Sequence, residues 1–204
     1  RFADYSTDND TDAFKLGAFY KLNDELSFRG TLQTASRHGS ITELYRGQGA
    51  SLTDLDPDPC GTNPESGAAP TATQAQCANT GLPASLYGSD LKSPADQYNI
   101  LTGGNPNLRP EESESTTLGV VWTPSSIEGL TVTLDYFDIL VEDRIGTIPA
   151  QTSIDKCLAT GNPTFCNLIE RDPIMGSLWV SPGRIITTNT NVAETSTSGF
   201  DIIF

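Results

Sequence analysis

Chemistry in this sequence would have to come from a few clusters of side chains. Glu111, Glu112 and Glu114 crowd carboxylates into one short stretch, as general acid–base work requires. They also stand where an alternating run begins, and strand-opening carboxylates there pair with Arg109 or with solvent. Asp54, Asp56 and Asp58, with Glu65 beyond, space oxygens as a calcium loop does. Pro59, however, takes the place of the glycine that such a loop needs for its sharp turn, and proline cannot reach positive φ. A solvated acidic loop is the simpler reading. Cys60, Cys77, Cys157 and Cys166 lack the close CxxC spacing of a zinc site and have only His38 to help, so no metal is expected. Four cysteines allow three connectivities, and spacing alone does not choose among them. Local pairing within each of two polar stretches is the simplest reading for an oxidising compartment. Tyr45, Tyr87, Tyr98, Phe165 and Trp179 fall in the same polar stretches and are weak candidates for stacking on a sugar or an aromatic chelate. With one histidine, no Gly-x-Ser-x-Gly elbow and no phosphate-binding glycine loop, no enzyme and no cofactor are implied.

The elements that would position these residues read as strands. Phe14, Leu16, Ala18 and Tyr20 alternate with Lys15 and Gly17. After the turn Lys21–Glu25, Leu26, Phe28, Gly30 and Leu32 alternate with Ser27, Arg29, Thr31 and Gln33. Leu118, Val120 and Trp122 alternate with Thr117 and Gly119, and the composition of Thr123–Gly129 makes a second turn. Val132, Leu134 and Tyr136 then oppose Thr131, Thr133 and Asp135, and Phe200, Ile202 and Phe204 oppose Gly199 and Asp201. With a short opening run Phe2–Ser6, about six strands are predicted. Between them the connections are unequal: two tight turns alternate with stretches of about 38–110 and 146–190, rich in Gly, Pro, Asn, Ser and Thr and holding all four cysteines. Short turns alternating with long loops are the habit of outer-membrane barrels. Tyr20 and Trp122 stand beside the short turns, where an interfacial aromatic girdle would lie.

Composition is compatible with this. Only 36% of the 204 residues are apolar, the mean hydropathy is −0.28, and no run approaches the roughly 18 apolar residues of a membrane helix. A membrane strand needs only about 10 residues and shows lipid every second one. A net charge of −14 argues against nucleic acid, whose phosphates require a basic face. Arg1-Phe2-Ala3-Asp4 carries no basic and apolar leader, and Gly199–Phe204 stops inside an alternating run, so a fragment is expected. Its outermost strands would be unpaired edges, and we expect it not to fold autonomously. The competing reading is a secreted, disulfide-bonded soluble β-domain that binds a ligand or partner. That fold would bring turns every 8–12 residues or so and would roof the apolar face with a second layer.

Three segments resemble the TonB-dependent receptor family. Phe28-Arg29-Gly30, leading to Ser36-Arg37-His38-Gly39-Ser40-Ile41-Thr42-Glu43-Leu44-Tyr45, is similar to a family strand that ends in an Arg-x-Pro-Ser-Leu-x-Glu-Leu-Tyr-like sequence, with Gly39 where proline is usual. Gly103-Gly104-Asn105-Pro106-Asn107-Leu108-Arg109-Pro110-Glu111-Glu112-Ser113, continuing into Thr117–Trp122, resembles the family's Gly-Asn-Pro-x-Leu-x-Pro-Glu-x-Ser sequence and is the most specific match. Leu130 through Asp135-Tyr136-Phe137-Asp138-Ile139 to Cys157 and Cys166, ending with Asn191-Val192 and Thr197-Ser198-Gly199-Phe200-Asp201, resembles a third. The resemblance implies an all-β fold, with residues 1–204 a segment of an antiparallel transmembrane barrel of about 22 strands and without the plug domain or the remaining strands. It further implies a bacterial outer-membrane location and TonB-energised uptake of a scarce nutrient such as a siderophore chelate, cobalamin or a glycan. The implied partners are outer-membrane lipid, the plug domain, TonB and the nutrient. On that reading Phe14, Leu16, Leu32, Val120, Val132, Leu134 and Ile202 meet acyl chains, while Arg29, Gln33, Thr117, Thr133, Asp135 and Asp201 line the lumen. Arg29 would then face either a plug carboxylate or water.

Overall fold

The computed structural model describes residues 2–5 and 9–204, so Arg1 and Ser6, the last residue of the predicted opening strand, lie outside it. In chain order the elements begin with β1 (Phe2–Tyr5), β2 (Asn9–Asp12), β3 (Lys15–Lys21) and β4 (Leu26–Arg37). The first long connection carries α1 (Ile41–Tyr45), β5 (Gly49–Asp54), α2 (Gln74–Asn79), a 3-10 turn at Ala84–Leu86 and β6 (Gln97–Thr102). Next come β7 (Glu111–Trp122) and β8 (Val132–Gly146). The second long connection holds α3 (Ala150–Thr160), α4 (Pro163–Cys166), β9 (Ile169–Glu170) and β10 (Arg184–Ile186), and β11 (Thr190–Ile203) follows. The chain divides into two compact units, a wall (1–40, 107–146, 191–204) and a loop unit (41–106, 147–190).

The wall is a five-stranded sheet in the order β11-β8-β7-β4-β3, accompanied by the β1–β2 hairpin. Its pairings are antiparallel and in register with the alternation, so Leu16↔Leu32, Phe28↔Val120, Gly30↔Leu118 and Val120↔Leu134 share one face. That face is not roofed. Leu16 is 65% exposed, Leu32 50%, Leu118 58% and Ile202 62%. Exposure of this kind would cost a water-soluble sheet its main stabilisation, about 25 cal/mol per Å² of apolar surface, whereas acyl chains wet it freely. The apolar band runs over Leu26–Leu32 of β4, roughly 20 Å of strand. Beyond it the same face turns mostly polar, with Thr116, Glu114 and Glu112 on β7 beside Asp138, Leu140 and Glu142 on β8. Tyr20 and Trp122 stay exposed at the turn ends of their strands.

The tight turns have local causes. Asn23 accepts hydrogen bonds on Oδ1 from the Glu25 and Leu26 amides, which closes the first turn. In the second, Gly129 sits at φ 80°, where a side chain would be strained. Glu25 ties the two together by accepting from the Ser125 amide at 3.0 Å and from its hydroxyl.

The long connections differ from the irregular loops their composition suggests. They pack on each other around one hydrophobic core, with a sheet in the order β5-β6-β10-β9. Thr73 opens α2 through a reciprocal capping box with Gln76. On α3, Ser153, Ile154, Cys157 and Leu158 form the buried face, and Gly161 at φ 65° ends the helix in the left-handed conformation.

Candidate functional site

On the polar face of the wall, Arg29, Gly119 and Asp135 lie directly opposite one another on adjacent strands. The guanidinium reaches across the intervening strand and binds the carboxylate twice, Nε to Oδ1 at 2.9 Å and Nη2 to Oδ2 at 2.5 Å. Only glycine permits this, because a Cβ on residue 119 would stand 2.0 Å from Asp135 Oδ1. Arg29 therefore has a partner within the wall, while its side chain stays half exposed on the polar face. Thr31 and Thr117 join hydroxyls at 2.5 Å beside it. Further along the strands Arg37 donates to both Glu111 oxygens at 2.7 Å, as the register Arg37↔Glu111 dictates. Arg109 instead binds Asp143 at 2.5 Å, while Glu112 and Glu114 are exposed, so of the two expected partners, Arg109 or solvent, these two meet solvent. Asn191 then imitates a strand partner. Its Oδ1 accepts from the Arg109 amide, while Nδ2 donates to the Arg109 and Asp143 carbonyls.

In the loop unit the cysteines are joined locally, Cys60 to Cys77 and Cys157 to Cys166. Beside the first bridge lies a buried ion pair. Arg171 Nη1 donates to Asp58 Oδ2 at 2.6 Å and to the Gly176 carbonyl at 2.8 Å, and its Nε donates to Thr80 Oγ1. Asp58 Oδ1 also accepts from the Cys60 amide at 3.0 Å, so both carboxylate oxygens are occupied. The carboxylates of the calcium-like run do not converge: Asp54 and Asp56 face solvent, and Glu65 pairs with Lys92 at 2.6 Å. The Lys92 ammonium holds the Glu65 carboxyl below its usual range, and the same hydrogen bond raises Lys92. Among the described residues no group of three or more His, Cys, Asp or Glu side chains is placed to hold a metal ion.

The aromatic candidates separate sharply. Tyr98 is 1% exposed in the core, its hydroxyl accepting from the Ser93 amide, and burial pushes its pKa up. Tyr87 donates its hydroxyl to the Ala72 carbonyl at 2.8 Å, while Phe165 and Trp179 pack against the core. Tyr98 is therefore an anchor of the fold, while Tyr87, Phe165 and Trp179 are partly buried against the same core. Tyr45 alone stands clear, 57% exposed. Its neighbour Arg46 lines a cleft of about 370 Å³ with Thr42, Glu43, Thr102, Gly103, Thr147, Thr187 and Asn189. Arg46 makes no ion pair among the described residues. The cleft is fixed by a backbone clasp: Asn189 donates Nδ2 to the Glu43 carbonyl at 3.0 Å, and Asn105 donates Nδ2 to the Asn189 carbonyl at 3.0 Å. Gly104 belongs to the same clasp, since a Cβ there would meet the Leu44 carbonyl oxygen at 2.6 Å. Four hydroxyls, an amide and the Arg46 guanidinium, with the Glu43 carboxylate on the same rim, suit an oxygen-rich ligand that both accepts and donates hydrogen bonds. Sequence reading did not select Arg46 or the threonines, which nothing distinguishes before the two connections are brought together.

Long antiparallel strands with a lipid-facing band, joined alternately by tight turns and by large folded loops, define a segment of a transmembrane β-barrel. The family model for the TonB dependent receptor-like β-barrel matches residues 1–203, and the chain belongs to that family. Among solved structures it is similar to the siderophore receptor PirA of Acinetobacter baumannii (17% identity, TM-score 0.53, 98% of this chain and 21% of that one). It is also similar to PirA of Pseudomonas aeruginosa (13% identity, TM-score 0.52, 98% and 26%). A third similarity is to the ferric enterobactin receptor PfeA of Pseudomonas aeruginosa (13% identity, TM-score 0.52, 95% and 19%). At these identities the likeness establishes the fold. The chain spans about a quarter or less of the length of these receptors. No curated protein matches it. Members of the family are receptors, not enzymes.

Proposed function

We propose that the chain forms part of the wall and two outer loops of a bacterial outer-membrane receptor that takes up a scarce nutrient with energy from TonB. An oxygen-rich metal chelate of the siderophore type is the nutrient class we favour. The unroofed apolar band of the wall carries the membrane reading, since in water it would have no partner. The favoured ligand class rests on the cleft around Arg46 and on siderophore receptors being structural neighbours. Arg46 would supply charge, the threonines hydrogen bonds, and Tyr45 an exposed ring beside them. Plug domain, TonB contact and the remaining wall belong to the full-length protein.

The test uses that full-length receptor. Cell fractionation should recover it in the outer membrane, released only by detergent. Arg46→Ala should weaken binding of a ferric siderophore about tenfold or more, the loss of a charged hydrogen-bond partner. Arg46→Lys should recover part of that loss, and Tyr45→Ala should lower affinity without altering loop stability. Recovery of the receptor in a soluble fraction would overturn the membrane reading. Unchanged chelate affinity in both Ala variants would overturn the ligand reading.

A further inference from the structure

We propose that the two long loops are one cooperative body, so that neither opens without the other. Each disulfide closes within its own loop, so neither covalently ties the pair together. The ties are in the packing. Cys60, Cys77 and Tyr98 of the first loop share a single core with Ile154, Cys157 and Ile185 of the second. β6 of the first loop pairs in parallel with β10 of the second, Ile100↔Ile185 and Leu101↔Ile186. Asn99 donates its amide N–H to the Leu178 carbonyl at 3.0 Å and Nδ2 to the Gly183 carbonyl at 2.9 Å.

The decisive tie is electrostatic. Asp58 and Arg171 come from different loops, and their side chains are each only 1% exposed. Withdrawing either loop alone would strip each ion of its counterion and Arg171 of its hydrogen bond to Thr80, which comes from the first loop. Opening both together returns both ions to water. Intermediate states with one loop open are therefore disfavoured relative to both closed or both open. A consequence concerns the cleft around Arg46, which draws Thr42 and Thr102 from one loop and Thr147 and Thr187 from the other. On this proposal it forms or is lost as a whole, and a ligand that bridges the two sets of residues favours the closed state of both loops.

Hydrogen exchange read by mass spectrometry on the full-length receptor in detergent tests this. Wild-type peptides over 74–79 and 150–160 should open at one shared rate. Asp58→Asn should speed exchange in both by the same factor, tenfold or more, and leave the wall peptide 111–122 unchanged. The paired replacement Asp58→Leu with Arg171→Met should restore protection in both loops. Faster exchange confined to the first loop, or wild-type rates that differ by more than tenfold between the two peptides, would overturn the proposal. If Asp58→Asn does not assemble, a urea series on the wild type decides. One midpoint for both peptides supports a single body, and two midpoints refute it.

Discussion

Gly119→Ala should weaken the wall through a clash that a second substitution can remove. The added methyl would lie 2.0 Å from Asp135 Oδ1 and 2.8 Å from Arg29 Nε, so the carboxylate must swing away and its paired hydrogen bonds to Arg29 break. Forcing a methyl into an occupied site costs about 1–3 kcal/mol. Loss of the ion pair adds only about 0–1 kcal/mol, because the Arg29 side chain is half exposed. Against this, alanine in a strand gains about 0.5–1 kcal/mol over glycine from backbone entropy. The net expectation is a loss of about 1–2 kcal/mol from these opposing effects. In an Asp135→Ser background the nearest obstruction is gone and Arg29 is no longer held over residue 119 by the carboxylate, so the same Gly119→Ala change should lose most of its penalty. Urea unfolding of the full-length receptor in micelles, followed by the gel-mobility difference between folded and unfolded barrel, would measure all four members of the cycle. A penalty undiminished in the Asp135→Ser background, or a Gly119→Ala variant as stable as wild type, refutes the glycine saddle.

Neighbouring positions on β7 should differ by face. Leu118→Arg on the apolar side should cost about 2–4 kcal/mol of membrane stability while Thr117→Arg is tolerated, as measured by folding into lipid vesicles. Equal costs would put the wrong face toward lipid. Replacing Cys60 and Cys77 together by alanine closes no loop in the unfolded chain and should destabilise the loop unit by about 2–4 kcal/mol. Protease susceptibility of the loops in intact cells reads this directly, and no change would mean the bridge is dispensable. At the turns, Ser125 holds the Glu25 carboxyl below its ordinary range, first through its hydroxyl and then through its amide. A depressed carboxyl contributes stability above its unfolded pKa and loses it as pH falls through the lowered, folded value. Protection of the Ser125 amide from exchange should thus survive the ordinary carboxylate range and fade only in stronger acid. Glu25→Gln should show no such step.

Much of the wall was legible because β-strands declare themselves every second residue, and lipid reads that pattern strictly. β4 follows it from end to end of the band, and β3 does so except at Phe19, which pairs with Arg29 on the polar face. The legible part of β8 stops at Tyr136 for a physical reason. Past that point the apolar residues Phe137, Ile139 and Val141 occupy the opposite face, while Asp138 and Glu142 flank Leu140 on the former lipid side. The strand continues beyond the membrane-wetted height, so the rule that made it readable no longer holds. In the loops, composition concealed the core. Ile154, Cys157 and Leu158 have helical spacing, but they are embedded in a stretch dominated by Gly, Pro, Thr and Asn. Asp58 resembled its solvated neighbours Asp54 and Asp56 because its partner Arg171 lies 113 residues away. Tyr98 was concealed for the same reason: an exposed ring for a ligand and a buried ring for a core have the same local surroundings in sequence.

The distribution of apolar burial carries the division of labour in this chain. Among the described residues, the buried hydrophobic side chains all belong to the loop unit except Leu108 and Ile145. The wall, despite its many leucines, valines and aromatics, has almost no interior of its own. Its stability must come from strand pairing and from a solvent that accepts an apolar surface, whereas the loop unit is stabilised as a water-soluble domain is, by a closed core, two disulfides and a buried ion pair. The two units should therefore answer to different perturbations. Lowering detergent below what covers the band should unfold or aggregate the wall while the loop core persists. Reductant with mild urea should open the loops while the strands remain paired. A single transition under both treatments would mean that the loops draw their stability from the wall after all.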